Sequence, residues 1–286
     1  MTIAIAIVIV LFLHMNIKVL VDNNTNVTSG LKAEHGLSFW LQTGGKNILV
    51  DVGETSAFAD NAIEMGVDIA TTDYLVLSHA HADHVGGLAT FLAINNKAKI
   101  YLSSNVRERN CFSTRRGNKR DISIDHTLLQ QHKHRFVFVD KDTSITNNVM
   151  LLCEIPTVYP MPKANATLLA NDAIDDFSHE LAVVVTDDDK IATVISPCTH
   201  RGILNVLDAI REYKAVNFIG GLHLLDSDDK NSFESVDEVL YLANEISKRS
   251  ISLYTGHCTG ATAKNILSKE LGNKYMDFYS GFTINL

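Results

Sequence analysis

The sequence predicts one α/β domain in which two mixed β-sheets are packed between two layers of helices. The chain has 286 residues, of which 46% are hydrophobic and 20% charged, as is typical of a globular domain. Short runs rich in Val and Ile alternate with segments of helical periodicity. The strands and helices come in two successive series, and this order favours an αββα sandwich.

Nine strands are predicted from runs of β-branched and aromatic residues, most of them bounded by Asp, Asn or Gly. They are Ile17–Val21, Asn47–Asp51, Tyr74–Leu77, Lys99–Leu102, Phe136–Val139, Leu181–Thr186, Ile191–Ile195, Val216–Ile219 and Ile251–Tyr254. Five segments have the periodicity of helices. They are Ser56–Met65, Gly87–Asn95, Gly202–Tyr213, Ser235–Lys248 and Thr262–Leu271.

The domain is predicted to run from Met15 to the last residue, 286, with an insertion or lid at about 103–178. That segment is less regular than the rest and holds three of the four prolines. Residues 1–14 form an apolar extension that is shorter than the roughly 20 residues a membrane span needs. It is a membrane anchor or uncleaved signal, an extra strand, or upstream sequence from an early start. We favour the last, and therefore expect a cytoplasmic protein; membrane association through residues 2–13 is the alternative.

The net charge limits the classes of partner, and the cysteine content indicates the cellular compartment. The net charge is −8, and an acidic surface repels phosphate backbones, so we expect no nucleic-acid partner. We also expect no stable membrane span. The four cysteines are far apart and include no C-x-x-C pair, which indicates a reducing compartment.

A dense group of metal-binding residue types follows one predicted strand. In "LSHAHADHVGG" four such residues occupy six positions, namely His79, His81, Asp83 and His84. The first two can point the same way, whereas the adjacent Asp83 and His84 point elsewhere, so the loop suits two neighbouring metals. Imidazole and carboxylate are ligands for Zn²⁺, and also for Fe or Mn. A solvated polar loop is the alternative, but four ligands in six positions disfavour it. Because His84 is expected in a surface loop, its replacement by Ala should remove activity without unfolding.

The motif H-x-H-x-D-H after an apolar strand resembles the signature of the metallo-β-lactamase superfamily, and the resemblance covers nearly the whole chain. It implies the αββα fold of that superfamily. Several stretches are similar to one branch, which includes the dihydropterin (ribofuranosylaminobenzene 5'-phosphate) synthases and many uncharacterised hydrolase-like proteins. These stretches are "VLVDNNT", "EHGLS", "DDFSHELAV", "CTHRGILN", "GGLHLLD" and "TGHCTG", whereas "DVGET" resembles the D-x-G strand end of the superfamily as a whole.

The resemblance implies further metal ligands from distant segments. His257 matches a histidine that follows a late strand. Cys198 stands about where a bridging aspartate usually lies, and His200 follows it. His179 stands where many members place their third histidine. We prefer His200 as the third ligand of the first metal; His179 is then a possible ligand or a residue that orients one by a hydrogen bond.

Two further groups are candidates for contact with substrate. His223 follows two glycines after a predicted strand, where open α/β sheets bind ligands, so we expect substrate contact or proton transfer there. A buried histidine bonded to backbone is the alternative. A basic stretch in the insertion could hold a phosphate or carboxylate, or could be a solvated loop. Its candidate residues are Arg115, Arg116, Lys119 and Arg120.

These features favour a dinuclear metal-dependent hydrolase that acts on a small anionic ester, phosphoester or lactone. Two metals can hold a hydroxide between them and polarise the group it attacks, with Asp83 as a ligand that also orients the hydroxide. No G-x-S-x-G, P-loop or G-x-G-x-x-G motif supports another enzyme class. The alternatives are a pterin-synthase-type enzyme of the same branch and a non-catalytic metal-binding or sensing protein.

Overall fold

The computed structural model describes residues 15–225 and 233–286. Within these ranges two seven-stranded sheets pack face to face, and helices pack on their outer faces. The αββα sandwich predicted from the sequence is confirmed. The three interpretations of residues 1–14 concern a segment outside the described residues. Among the described helices, none combines the length and apolar character needed to cross a membrane.

The first sheet joins an antiparallel half to a parallel half. Its strand order is β18-β1-β2-β3-β4-β5-β8, antiparallel from β18 to β3 and parallel from β3 to β8. Its strands are β1 (Asn16–Val21), β2 (Ser38–Thr43), β3 (Lys46–Val50), β4 (Tyr74–Val76), β5 (Lys99–Ser103), β8 (Phe136–Val139) and β18 (Thr283–Asn285).

The second sheet has the same mixed character. Its order is β17-β16-β15-β14-β13-β10-β9, antiparallel from β9 to β14 and parallel from β14 to β17. Its strands are β9 (Thr143–Ser144), β10 (Val149–Leu152), β13 (Ala182–Thr186), β14 (Ile191–Ile195), β15 (Ala215–Ile219), β16 (Ile251–Thr255) and β17 (Tyr275–Asp277).

The sequence analysis predicted an insertion at about 103–178. Only part of this segment lies outside the two main sheets. It supplies β8 to the first sheet and both β9 and β10 to the second. The remainder forms a four-stranded antiparallel sheet of order β12-β11-β6-β7. The strands of this small sheet are β6 (Cys111–Ser113), β7 (Arg120–Asp121), β11 (Leu168–Ala170) and β12 (Ala173–Ile174).

The helices and three apolar clusters complete the sandwich. One cluster lies between the sheets and includes Phe39 and Val183; the other two lie between each sheet and its helices. The burial of this apolar surface is the main stabilising term. The helices are α1 (Ala57–Glu64), α2 (Ala82–Val85), α3 (Leu88–Ile94), α4 (His126–Gln131), α5 (Ile203–Ala209), α6 (Val236–Ser247) and α7 (Ala261–Leu271).

The parallel halves of both sheets direct loops to one edge of the sandwich. Strands β3 and β4 of the first sheet end there, as do β14, β15 and β16 of the second, because parallel neighbours end on the same side. The loops pass close to each other: a Cβ on Gly220 would lie 1.8 Å from the carbonyl oxygen of Ser196. This edge carries the candidate site.

Candidate metal centre and substrate cleft

Non-glycine residues with positive φ are concentrated at the edge of the sandwich where the parallel strands end. Seven non-glycine residues with positive φ occur among the described residues, and five of these lie around this edge. Such conformations cost about 1–3 kcal/mol each and are concentrated at functional sites. The five are Asp51 (59°), Phe177 (52°), Thr199 (56°), His223 (51°) and His257 (48°).

Three of the expected metal ligands converge in a first cluster, defined as His79, His81 and His200. Their ligand atoms all lie within 4.8 Å of one another, and the Nε2 atoms of His79 and His200 are 3.3 Å apart. Burial holds the pKa of His79 and of His200 well below the usual value and lowers that of His81 to about 3. The three imidazoles are therefore neutral at physiological pH, the form that binds a metal.

The other three expected ligands form a second cluster, defined as Asp83, His84 and His257. The Nε2 atoms of the two histidines are 3.2 Å apart, and Asp83 Oδ2 lies 3.5 Å from each of them. Metal–ligand bonds of about 2.0–2.2 Å in a tetrahedral site separate ligand atoms by about 3.4 Å. The second cluster thus has the spacing of a tetrahedral divalent site.

A buried aspartate at the end of β3 orients one histidine of each cluster. Asp51 Oδ2 lies 2.7 Å from His84 Nδ1 and accepts a 2.7 Å hydrogen bond from the hydroxyl of Ser78. That hydroxyl in turn lies 2.8 Å from His79 Nδ1. With Nδ1 engaged in this way, each ring turns Nε2 toward its cluster, as carboxylate–histidine–metal arrangements require.

In the second cluster, carboxylate and imidazole side chains stabilise each other's charged forms. Burial alone would lower the pKa of His84, but Asp83 and Asp51 outweigh it and raise that pKa to about 10. Burial would raise the pKa of Asp83, but His84 and His257 hold it well below its usual value. Asp83 is therefore an ionised carboxylate, and a metal that binds His84 must displace a proton from Nε2.

Side chains from distant loops orient two more of the ligand histidines, His257 and His200. His257 Nδ1 lies 2.9 Å from the Oδ1 atom of Asn23, and Asp22 accepts its backbone N–H at 2.8 Å. His200 Nδ1 lies 3.0 Å from Asn165 Oδ1. The His200 ring also stacks on Phe177, with ring centroids 4.2 Å apart.

His179 lies beside the first cluster, and both of its ring nitrogens are already bonded. Nδ1 accepts the backbone N–H of Ala80 at 3.2 Å, and Nε2 lies 3.1 Å from Asp175 Oδ2. Asp175 is in turn paired with Arg109 at 2.5 Å. This arrangement favours His200 over His179 as the third ligand of the first metal. It favours for His179 the alternative role, in which the residue orients a ligand through a hydrogen bond.

The residue after His179 fixes the loop that carries His200. Glu180 is buried, and its two carboxylate oxygens accept the backbone N–H groups of His200 at 2.7 Å and Arg201 at 2.8 Å. Burial raises the pKa of Glu180 to about 7, although both hydrogen bonds act in the opposite direction. His179 and Glu180 thus bond to the two loops that supply the first cluster.

Two cysteines lie against the second cluster. Cys198 Sγ is 3.2 Å from His84 Nε2, and the ligand atoms of Cys198, His79 and His84 lie within 4.8 Å of one another. Cys198 is therefore placed between the clusters, as its position at the end of β14 led us to expect. Cys258, which follows His257, lies 3.4 Å from Cys198, sulfur to sulfur.

Two further histidines face the same space. His223 is buried, and its ring centroid is 4.1 Å from that of His200. Neither of its ring nitrogens makes a well-aligned hydrogen bond, although the Cys258 thiol lies close enough to affect its pKa. His35 was not singled out by the sequence analysis. Its ring stacks on His257 at 5.8 Å, and its Nε2 lies 3.6 Å from Asp83 Oδ2.

A cleft opens onto both clusters, and two of the four expected basic residues line it. Arg115 and Arg120 line it, together with His35, His223 and Cys198. The Nε atom of Arg115 is buried without a hydrogen-bond partner, and burial lowers the pKa of its guanidinium. Among the described residues, the cleft thus holds a guanidinium whose Nε atom has no hydrogen-bond partner, beside the metal-binding residues.

The other two expected basic residues lie outside the cleft. Lys119 pairs with Asp172 at 3.1 Å and lies over the ring of Phe112. Arg116 is exposed and does not line the cleft. The positions of Lys119 and Arg116 therefore fit the alternative interpretation of the basic stretch, a solvated loop.

Comparison with known proteins agrees with the fold. The family model described as the metallo-β-lactamase superfamily matches residues 31–138. A 7,8-dihydropterin-6-methyl-4-(β-D-ribofuranosyl)-aminobenzene-5'-phosphate synthase of Methanocaldococcus jannaschii is 24% identical over 93% of this chain and 95% of its own length. An uncharacterised protein of the same organism is 25% identical over 88% of this chain and 94% of its own length.

Solved structures give the same assignment. The crystal structure of a metal-dependent hydrolase of the β-lactamase superfamily superposes with a TM-score of 0.78 and 27% identity, over 95% of this chain and 99% of the other. Zn²⁺-bound PqqB of Methylobacterium extorquens has a TM-score of 0.57 at 11% identity, over 95% of this chain and all of its own, and shows the fold alone. Residues 31–138 thus match the metallo-β-lactamase superfamily, and the described part of the chain has the metallo-β-lactamase fold.

Proposed function

We propose that the protein is a dinuclear metal-dependent hydrolase that acts on a small anionic ester, phosphoester or lactone. The observation that carries this proposal is the convergence of six ligand side chains in two adjacent clusters, at a cleft that is also lined by Arg115, whose Nε atom has no partner among the described residues. The metallo-β-lactamase fold implies divalent metal binding, and the proposal adds the number of ions, the type of reaction and the substrate class.

The donor set fits divalent ions. The first cluster would hold one ion through three neutral imidazoles, and the second cluster would hold another through two imidazoles and the ionised Asp83. This combination of nitrogen and oxygen donors suits Zn²⁺, with Fe or Mn as alternatives. When bound, two such ions lower the pKa of a water molecule and polarise the group it attacks.

The chain's own residues would bind and orient the substrate. Arg115 offers a guanidinium with its Nε atom unpaired, which can donate parallel hydrogen bonds to a phosphate or carboxylate. Arg120, also on the cleft wall, would add a second positive charge at a more exposed position. His223 lines the same cleft and could hold a proton on either ring nitrogen for a leaving group.

The test is metal-dependent turnover. Protein freed of metal with a chelator and reloaded with Zn²⁺, Mn²⁺ or Fe²⁺ is assayed on an aryl phosphodiester, an aryl phosphomonoester, a lactone and a neutral aryl ester. We expect about two ions per chain and hydrolysis of at least one anionic substrate or lactone, which is lost on chelation. Metal binding without turnover of any substrate would favour the non-catalytic sensing alternative.

A matched pair of variants separates the site from its surroundings. His200→Ala should remove one ion and the hydrolysis. His134→Ala, at an exposed position outside the cleft, should change neither. Equal losses in both variants would contradict the assignment.

A pterin-synthase-type reaction is the second candidate, because one relative that matches 93% of this chain is named for it. The name of that enzyme describes a product with a 5'-phosphate, and the same Arg115 could bind such a group. Formation of that product by the metal-loaded protein, in the absence of phosphoester or lactone hydrolysis, would favour this candidate.

A further inference from the structure

Two thiols are in contact at the carboxyl edge of the second sheet, and the proposed reaction does not use that contact. The sulfur atoms of Cys198 and Cys258 are 3.4 Å apart. Cys198 lies in the loop after β14 and Cys258 in the turn after β16, so the fold brings together two residues that are 60 positions apart in sequence. All four cysteines of the chain have free thiols. The other two lie on or after different strands, Cys111 in β6 and Cys153 after β10.

The backbone around the two thiols holds them together. A Cβ on Gly221, in the loop after β15, would lie 2.5 Å from Cys258 Sγ and 3.0 Å from the carbonyl oxygen of Pro197. Glycine at this position therefore lets three neighbouring loops approach closely. The Cys258 thiol also donates to the carbonyl oxygen of Cys198 at 3.7 Å. The contact between the sulfurs thus follows from the way in which these loops pack.

A small oxidant can reach both sulfurs through the cleft. Cys198 and Cys258 line the cleft, although the two residues are only 3% and 7% exposed. The cleft is also lined by the exposed residues His35 and Arg120, so it opens at the surface of the protein. Hydrogen peroxide is little larger than a water molecule. The pair is therefore accessible to peroxide from the side on which the substrate would enter.

We propose that Cys198 and Cys258 form a reversible disulfide bond in the presence of hydrogen peroxide, and that this bond inactivates the proposed metal centre. The sulfur of one thiol attacks a peroxide oxygen, the O–O bond breaks, and a sulfenic acid and one water molecule result. The second sulfur then attacks the first, the S–S bond forms, the S–O bond breaks, and a second water molecule leaves with the remaining thiol proton. The two thiols together lose two electrons and two protons, and the peroxide is reduced to two water molecules.

A bond between these sulfurs would disturb both metal positions. The sulfurs of a disulfide are about 2.05 Å apart, so the pair must close by about 1.4 Å. Cys258 directly follows His257 and Cys198 lies two residues before His200, so the loops that close carry one ligand histidine of each cluster. Metal–ligand distances tolerate shifts of only about 0.2 Å. The effect on hydrolysis rests on the proposed function, whereas the formation of the bond does not.

The experiment uses the full chain loaded with Zn²⁺, which has no redox chemistry of its own, so that peroxide acts on the thiols. After treatment, excess peroxide is removed with catalase, the protein is denatured in iodoacetamide, and its peptides are identified by mass spectrometry. We expect a pair of peptides linked through Cys198 and Cys258 that separates on reduction with a phosphine, whereas Cys111 and Cys153 are alkylated. Sulfinic acid at either residue without this link, or a link to Cys153, would overturn the proposal.

Metal affinity and hydrolysis show whether the bond inactivates the centre. In the wild type, peroxide should weaken Zn²⁺ binding by at least about 10-fold in competition with a chromophoric chelator, as the loss of a group that supports a metal does. Hydrolysis should fall with it, and the phosphine should restore both. Cys153→Ser should respond as the wild type does, whereas Cys258→Ser should keep the affinity it has before treatment. An equal fall in Cys258→Ser would overturn the assignment to this pair, and the linked peptides of the wild type test the bond even if that variant fails to fold.

The outcomes separate this inference from the proposed function. Hydrolysis by a protein in which peroxide forms no link between Cys198 and Cys258 overturns the disulfide alone. The link and the weakened Zn²⁺ binding, in a protein that hydrolyses none of the substrates, support the disulfide and overturn the hydrolase assignment. A link that leaves both Zn²⁺ binding and hydrolysis unchanged overturns the inactivation.

Discussion

Glu180 Oε1 accepts the backbone N–H of His200 at 2.7 Å. The preceding residue, His179, accepts the backbone N–H of Ala80, which lies between His79 and His81. One dipeptide therefore bonds to both loops that supply the first cluster, although these loops belong to different sheets. Its position explains why two buried polar side chains follow each other immediately before β13.

Replacing Glu180 with Gln should weaken the first metal position. A carboxylate accepts both backbone N–H groups, whereas a carboxamide must turn an NH₂ toward one of them. Loss of such a supporting group typically reduces metal affinity about 10–100-fold. Competition with a chromophoric chelator measures it. Glu54→Gln, at an exposed carboxylate on the cleft wall, is the control and should leave both affinities unchanged.

The same carboxyl group makes the stability of the metal-free protein depend on pH. Its pKa is about 7 in the folded chain against an ordinary 4.5, so between these values the unfolded chain loses the proton first. The free energy of unfolding should therefore fall as pH rises from about 4.5 to 7, by about 3 kcal/mol from this group. Urea titrations across this range should show the fall in the wild type relative to Glu180→Gln. Parallel curves for the two proteins would contradict it.

His84→Ala should lose stability as well as metal. We expected this residue in a surface loop, but the structure buries it completely, 2.7 Å from Asp51. Removing the ring leaves a buried carboxylate short of one partner, which costs about 1–3 kcal/mol. Thermal unfolding of the metal-free variant measures this loss separately from the metal. An unchanged unfolding temperature would restore the original expectation.

His179→Leu tests whether His179 orients or binds. The replacement keeps a similar volume but leaves the Ala80 N–H without its acceptor. If His179 only orients the loop, the variant should still bind two ions, the first of them more weakly. Metal analysis by mass spectrometry of the intact complex gives the stoichiometry. Complete loss of one ion, with a fold unchanged by circular dichroism, would instead support His179 as a ligand.

The sequence predicted the elements whose residues are strongly patterned. All nine expected strands and five expected helices are present, with ends shifted by a few residues. The strand β2 was missed because "SFWLQT" lacks β-branched runs and is buried on both faces, so its pattern does not alternate. The strand β10 was missed because it lies in the segment interpreted as an insertion.

The candidate ligands were predictable because they follow a short motif or match a family position, whereas the side chains that orient them were not. Asn165, Glu180 and Asp22 act on the ligand histidines across separations of 35, 20 and 235 residues. Two of these three contacts involve backbone N–H groups, which carry no residue-specific signal. Asp22, Asp51 and Glu180 do lie in the quoted stretches "VLVDNNT", "DVGET" and "DDFSHELAV", but nothing in those stretches indicated which residue would orient a ligand.

The proposed function places the anionic group of the substrate on a basic residue that faces the cleft, and two neighbours in sequence differ in this respect. Arg115 lines the cleft with a buried, unpaired Nε, whereas Arg116 is exposed outside it. We therefore expect Arg115→Ala to raise KM for an anionic substrate. Each lost charge-assisted hydrogen bond is worth about 1.5–3 kcal/mol, which corresponds to a loss of about 10- to 150-fold in kcat/KM.

The adjacent Arg116 provides the control for this prediction. Arg116→Ala removes the same charge one residue away and should change KM by much less, because an exposed guanidinium is solvated and screened. Metal content should stay at the wild-type value in both variants, since neither residue belongs to the two clusters. Steady-state kinetics on an anionic substrate and a neutral ester at two salt concentrations separate a bound pair from long-range attraction. Equal losses on both substrates in Arg115→Ala would mean that this residue supports the small sheet, and that the anion is bound elsewhere in the cleft.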